Sequence, residues 1–309
     1  MQRKNHVLKT VLMIMLSLSS VSAAAQSFKT APHAPARNMI WAEKMESHIS
    51  FLSDTLCHGR GTGTQGGAEA AFWIARQFRD VGLIPLDRSW SQSFKTANGT
   101  TGHNIIGMVP GSLKKPSDKY IIIAAHYDHL GKLGKKTFYP GAHDNASGTA
   151  AIMTMAAHYA KNRPDYDMYF IAFSGEDANL RGSEWYAEHP IVPLDQIKYL
   201  FNLDMIADNN PAQYCEVSNE GMKQYPLFEK INAEKGYFKE LDRHELDGNS
   251  DHYPFALRNV PCIFFMNEGG DAFKYYHTIY DTWENSIFGN YEPTFSLIID
   301  FINGQRCSE

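Results

Sequence analysis

Apolar positions along this chain follow two rhythms. Ala71, Ile74, Ala75 and Phe78 fall on one face at helical spacing, which predicts a helix over Ala68–Val81 with Gly82 as its stop. Met39–Leu52 reads as a helix, as does Ser147–Lys161, where Ala150, Met153, Ala157 and Ala160 share a face; Tyr291–Ile302 predicts a closing helix. Between them lie short apolar runs, Asn104–Val109, Tyr120–Ala125, Met168–Ser174 and Pro261–Met266, which predict strands, with Tyr199–Ile206 as a fifth. Several runs are apolar on both faces, as expected where helices cover both sides of a sheet. Gly-rich Cys57–Gly67 interrupts regular structure. Strands alternating with helices predict an α/β fold, a three-layer α/β/α sandwich with a mostly parallel central sheet.

The 309 residues contain no evident linker or repeat, so one catalytic domain is expected over residues 38–309. Residues 1–25 read as a signal peptide. Arg3, Lys4 and Lys9 form a charged start, Val11–Val21 is apolar but too short to be a stable membrane anchor, and Ala23-Ala24-Ala25 offers a cleavage site. Residues 26–37, rich in Ala, Pro and polar residues, read as a flexible lead-in. The expected location is periplasmic or extracellular, with no membrane anchor left after cleavage.

Charge narrows the partners. Removing the three basic residues of the leader from 29 leaves 26 against 34 acidic residues, a net of −8. No basic stripe is visible to neutralise phosphates, which argues against nucleic acid. Cys57, Cys215, Cys262 and Cys307 are widely scattered, so a thiolate zinc site is not expected; three disulfide pairings remain open beside free thiols.

The chemistry appears where predicted strands end. Tyr120–Ala125 runs into His126-Tyr127-Asp128, Met168–Ser174 into Gly175-Glu176-Asp177, and the strand around Leu200 into Asp204. Ligands in open α/β sheets bind beyond the carboxyl ends of the strands. Gly141-Ala142-His143-Asp144-Asn145-Ala146-Ser147-Gly148 opens into a helix, and His277-Thr278 and Asp281-Thr282 sit in a later polar loop. Alone, each reads as ordinary structure: a hydrogen-bonded His, a helix cap, a surface turn, a satisfied buried carboxylate. Their joint order carries the weight.

With these stretches, and with Arg181-Gly182-Ser183, Asn202-Leu203-Asp204-Met205, Ser250-Asp251-His252 and upstream Arg60-Gly61-Thr62-Gly63-Thr64, residues 40–303 resemble the M28 family of metallopeptidases, whose aminopeptidase group binds two zinc ions. The resemblance implies that His126 and Asp204 bind one zinc, that Asp177 and His277 bind the other, and that Asp144 bridges them. His and Asp suit zinc chemically. Asp128 is placed to orient His126, and the resemblance makes Glu176 the general base for the attacking water. Met205 is a candidate for the substrate pocket, although core packing is the more ordinary role for such residues. Asp251 is a candidate support for the metal ligands by hydrogen bonding, against a solvated loop carboxylate.

The chain departs from the resemblance at one position. Many relatives carry Glu-Glu where this chain has Glu176-Asp177, and the shorter side chain implies a weaker second metal site. The implied function is an exported zinc aminopeptidase acting on peptides. A single-zinc glutaminyl cyclase on the same fold is the first alternative, disfavoured by the short step from Glu176 to Arg181-Gly182-Ser183. A non-enzymatic binding protein is disfavoured because the full ligand set and the base are present. A carboxypeptidase or dipeptidase is favoured only if Arg181, Arg243 or Arg258 reaches the metals. The oligomeric state stays open.

Overall fold

The computed structural model describes residues 39–304 apart from residue 87 and residues 114–117. The expected leader and lead-in therefore lie outside the described residues, as does Cys307.

The helices are α1 (Met39–Leu52), α2 (Gln65–Asp80), α3 (Ser147–Lys161), α4 (Arg181–Glu188), α5 (Tyr225–Lys235), α6 (Tyr253–Ala256) and α7 (Tyr291–Gly304). The first strands are β1 (Ile84–Pro85), β2 (Ser91–Lys95), β3 (Thr101–Val109), β4 (Tyr120–His126), β5 (Lys132–Leu133) and β6 (Thr137–Phe138). They are followed by β7 (Asp167–Phe173), β8 (Ile197–Asp204), β9 (Ala212–Val217), β10 (Glu240–His244) and β11 (Cys262–Met266).

The main sheet has the order β1-β3-β7-β4-β8-β11-β9-β10, with β2 also paired to β3. The four central strands β7, β4, β8 and β11 are mutually parallel. The flanks differ from the sequence expectation: β1 and β2 pair antiparallel with β3, β3 with β7, and β9 with β11. The sheet is therefore mixed. The β2–β3 connection is a short turn through Asn98-Gly99, and such a turn can join only antiparallel neighbours.

Alternation along β4 divides the core into two faces. Ile121, Ile123 and Ala125 pack with Phe170, Phe201 and residues of α1, α2, α3, α5 and α7. Ile122 and Ala124 point the other way, to Ile171, Phe173, Leu200, Tyr186 of α4 and Phe255 of α6. This produces the three layers. The helix α3 is buried nearly all round, because its Ala, Gly, Ser and Thr residues let it lie between the sheet and α1.

The helix α2 starts three residues earlier than its apolar spacing predicts. Thr64 caps it by accepting the N–H of Gly67 at 3.2 Å, and the first turn is pressed against the carbonyls of Cys57 and Gly61, where a side chain on Gly66 or Gly67 would collide. No helix among the described residues is long and apolar enough to cross a membrane. Cys57, Cys215 and Cys262 are buried free thiols.

Candidate metal centre

The parallel register brings the chemical residues to one edge of the sheet. His126 and Asp204 end β4 and β8, and His126 stands level with Phe173, the last residue of β7. The chain after β7 leads through Gly175 at φ +82° into Glu176 and Asp177. Asp144 and Asn145 lie between Gly141 and α3, and His277 lies in the connection from β11 to α7.

Asp144 occupies the middle. Its Oδ1 faces His126 Nε2 at 3.5 Å, and its Oδ2 faces His277 Nε2 at 3.1 Å and His129 Nδ1 at 3.5 Å. His126 Nε2 is also 3.2 Å from Asp204 Oδ1. Asp177 offers Oδ1 to His277 at 3.6 Å and Oδ2 to His129 at 3.4 Å. Two atoms bound tetrahedrally to one zinc stand about 3.3 Å apart, so these separations fit shared ions. Two compact donor groups result, His126–Asp144–Asp204 and His129–Asp144–His277, each with its ligand atoms within 4.8 Å of one another. All the residues expected as ligands are brought together, with Asp177 at the margin of the second group. His129 was not foreseen. Its one sequence signal is the His126-x-x-His129 spacing immediately beyond a strand.

Buried hydrogen bonds fix this geometry. Asp204 Oδ2 accepts the Ser250 hydroxyl at 2.8 Å, and Ser250 in turn accepts Asn202 Nδ2 at 2.8 Å, leaving Asp204 Oδ1 toward His126. Asp281 accepts the backbone N–H groups of His143 and Asp144 at 2.8 and 3.0 Å. Asn145 donates to the Leu203 carbonyl and accepts the N–H groups of Gly148 and Met205. Arg60 is fully buried. Its guanidinium donates to the carbonyls of Leu52, Tyr127, Pro140, Gly141 and Asp144, so it ties the loop after β4 to the loop before α3. Gly141, at φ +59°, lies so close to this guanidinium and to His129 that a Cβ would collide with both.

Asp128 is not arranged as the sequence suggests. His126 Nδ1 lies 3.2 Å from the Asp128 backbone carbonyl but 3.8 Å from its carboxylate. The carboxylate instead accepts Thr62 Oγ1 at 2.8 Å and the Glu176 backbone N–H at 3.2 Å. It therefore positions the chain at Glu176, while its carbonyl accepts from the His126 ring. A carbonyl serves as well as a carboxylate for that contact, because orienting the ring needs only an acceptor.

The charges oppose one another strongly. Burial disfavours a proton on His126, but Asp204, Glu176 and Asp144 outweigh it and raise its pKa well above the ordinary value. Burial raises Glu176 well above the usual carboxylate range, with Asp204, Asp251 and Asp144 adding and His126 opposing. Asp251 is fully buried, and burial pushes its carboxyl up to about 7; Asp128 and Asp204 add to this, while His126 and Ser183 oppose it. It is thus a buried neighbour of the cluster and not a solvated loop residue. Tyr276 stacks on His277 with ring centroids 3.8 Å apart, and its phenol is raised by burial and by Asp144, Asp204, Glu176 and Asp177. Met205 is buried beside Phe264 and Met266, with Tyr214 and Phe273 packed against them.

Solved structures share this fold. The chain superposes on BSAP, a zinc aminopeptidase from Bacillus subtilis, with a TM-score of 0.70 and 18% identity, covering 90% of this chain and 96% of that one. It superposes on Porphyromonas gingivalis glutaminyl cyclase with a TM-score of 0.68 and 18% identity, covering 85% and 98%. The fold is therefore of the zinc-aminopeptidase class, a class that also includes that cyclase. A model of peptidase family M28 matches residues 104–302, and the chain belongs to that family. It is 32% identical over 200 residues to Aminopeptidase YwaD of Bacillus subtilis (strain 168), covering 62% of this chain and 42% of that protein. It is 27% identical over 251 residues to Leupeptin-inactivating enzyme 1 of Streptomyces exfoliatus, covering 80% and 54%. The chain spans about half the length of these curated relatives.

Proposed function

We propose that this chain is an exported zinc-dependent aminopeptidase that removes N-terminal residues from peptides. The observation carrying the proposal is Asp144, whose two oxygens face two separate histidine–carboxylate groups. In this reading His126 and Asp204 hold one zinc, Asp177 and His277 the other, and Asp144 lies between them. Bound zinc supplies Lewis acidity toward the peptide carbonyl and a more acidic water.

The remaining steps belong to side chains. Glu176 takes the proton of the attacking water on its carboxylate and returns it to the leaving amine. Asp128 holds the Glu176 backbone through the N–H it accepts. Tyr276, kept protonated by burial and by the surrounding carboxylates, can donate a hydrogen bond to negative charge developing on the substrate. Met205 is assigned to the apolar side of the substrate pocket, whereas Asp251 hydrogen-bonds no ligand residue and is assigned an electrostatic part only.

A free amino terminus suits this site better than a free carboxylate. The surroundings are rich in Asp and Glu. The arginines offer little to a carboxylate: Arg60 spends its donors on backbone carbonyls, Arg258 pairs with Glu184 at 2.7 Å, and Arg243 lies exposed on β10. Arg181 directs Nη2 toward the Lys95 carbonyl at 3.4 Å. Two donor groups around one shared carboxylate favour hydrolysis over single-zinc cyclisation. The export reading rests on the leader at residues 1–25, with the peptidase unit following the lead-in at residues 26–37.

Zinc-loaded protein should cleave aminoacyl-nitroanilides and leave their N-acetylated counterparts intact. Cyclisation of an N-terminal glutaminyl peptide without such cleavage would replace this function with the cyclase reading.

A further inference from the structure

Resting on the two-zinc reading, we infer that His129 is a ligand of the second metal site, joining Asp144, His277 and Asp177 there through Nδ1. Three observations lead to it. The side chain is fully buried, and neither ring nitrogen has a hydrogen-bond partner among the described residues. A buried polar atom without a partner costs about 1–3 kcal/mol, so such a group calls for an ion or another partner. Next, Nδ1 sits 3.5 Å from Asp144 Oδ2 and 3.4 Å from Asp177 Oδ2, and that Asp177 oxygen is itself buried without a hydrogen-bond partner. These are the separations of atoms sharing one ion, and they exceed an ordinary N–H···O bond, which is about 2.9 Å.

The third observation is that His129, and not Asp177, completes the compact group with Asp144 and His277. The Asp177 side chain is one methylene shorter than glutamate and sits at the edge of the group. His129 reaches the same place from the neighbouring strand, through the loop after β4. Arg60 and Gly141 hold that loop, and any side chain on Gly141 would meet the His129 ring. The second site is then richer in imidazole than the first, which suits zinc over magnesium or calcium. The short carboxylate no longer implies a weak site.

Zinc content and affinity are measured on wild-type protein and on His129→Ala and His129→Asn, with near-UV circular dichroism to verify folding. Wild-type protein is expected to hold two zinc ions. Both variants are expected to keep one and to bind the second at least about 100-fold more weakly, beyond the usual cost of losing a residue that only orients a ligand. The asparagine keeps an N–H donor. If it restores wild-type zinc affinity, His129 merely orients Asp177 by hydrogen bonding and the inference falls. It also falls if His129→Ala retains both ions at wild-type affinity. Zinc X-ray absorption on the wild-type holoprotein avoids dependence on variant folding: three imidazole rings shared by two ions are expected, and two rings would overturn the ligand. Wild-type protein that binds only one zinc would instead overturn the two-zinc reading itself, and His129 with it.

Discussion

The Asp128 carboxylate accepts the backbone N–H of Glu176 at 3.2 Å, and this one contact joins the end of β4 to the turn that follows β7. The same carboxylate takes the Thr62 hydroxyl at 2.8 Å, so it is anchored from a third segment. In the proposed mechanism Glu176 transfers the proton, and this contact sets the position of its backbone.

Replacing Asp128 with alanine should therefore affect turnover more than metal content. The His126 ring keeps its contact with the backbone carbonyl of residue 128, which the substitution does not remove. A loss of about 10–100-fold in kcat is expected with zinc stoichiometry unchanged, comparable to losing other residues that orient a site. Steady-state kinetics and metal analysis on one preparation check this. Loss of zinc in proportion to activity would show that the carboxylate supports the ligand and not the base.

Arg60 should be a stability residue with consequences at the site. Its replacement by methionine keeps much of the packing volume but takes a donor from five buried carbonyls, of which that of Gly141 still accepts the Ala146 N–H. Each abandoned buried partner costs about 1–3 kcal/mol, and solvent or relaxation recovers part of that. A net loss of at least about 3 kcal/mol in urea unfolding is expected, accompanied by weaker zinc retention because the carbonyls of Tyr127 and Asp144 are among the five.

A separate pH dependence arises in α1. His48 is buried in α1, and burial together with Lys44 lowers its pKa from 6.5 to about 4. Between those values the unfolded chain carries a proton on this residue that the folded chain lacks, so stability rises with pH through that window and falls as pH drops from 6.5 toward 4. At 1.36 kcal/mol per unit, the difference amounts to about 3 kcal/mol. His48→Leu should flatten this part of the curve. Unfolding of both proteins at pH 4.5 and 7 measures it; parallel curves would mean that another group sets the acid sensitivity.

The central strands and the site edge were legible in the sequence for one reason: Ile121–Ile123 and Phe170–Phe173 are continuous apolar runs ending at His or near Glu-Asp. Among the flanking strands β3 was legible as Asn104–Val109, whereas β1, β2, β9 and β10 were not. Strand β10 is polar and largely exposed, and β9 buries Gln213 and Glu216, whose polarity is met in part by partners distant in sequence, such as the Met266 carbonyl and His252. Asp281 appeared as a polar loop residue because its role, accepting the N–H groups of His143 and Asp144, depends on a contact across more than 130 positions of sequence. His129 escaped notice because its partners are assembled by three different connections. The expectation of a mostly parallel sheet holds for the four central strands and for β9 with β10, but not for the pairs β1–β3, β2–β3, β3–β7 and β9–β11, since apolar runs do not record the direction of their neighbours.

The most direct test of the hydrolytic reading is Glu176→Gln assayed beside Asp177→Asn, each with zinc analysis and hydrolysis of an aminoacyl-nitroanilide. Glutamine keeps the size and one carbonyl oxygen but cannot accept the proton of the attacking water at neutral pH. General-base catalysis contributes about 10²–10⁴-fold to rate, so Glu176→Gln should lose turnover by that much while retaining zinc and substrate binding. Asp177→Asn should lose zinc affinity first and recover part of its activity in excess zinc. A Glu176→Gln protein that sheds zinc yet turns over normally once zinc is restored would contradict the account, because Glu176 would then be a ligating or structural residue and not the base.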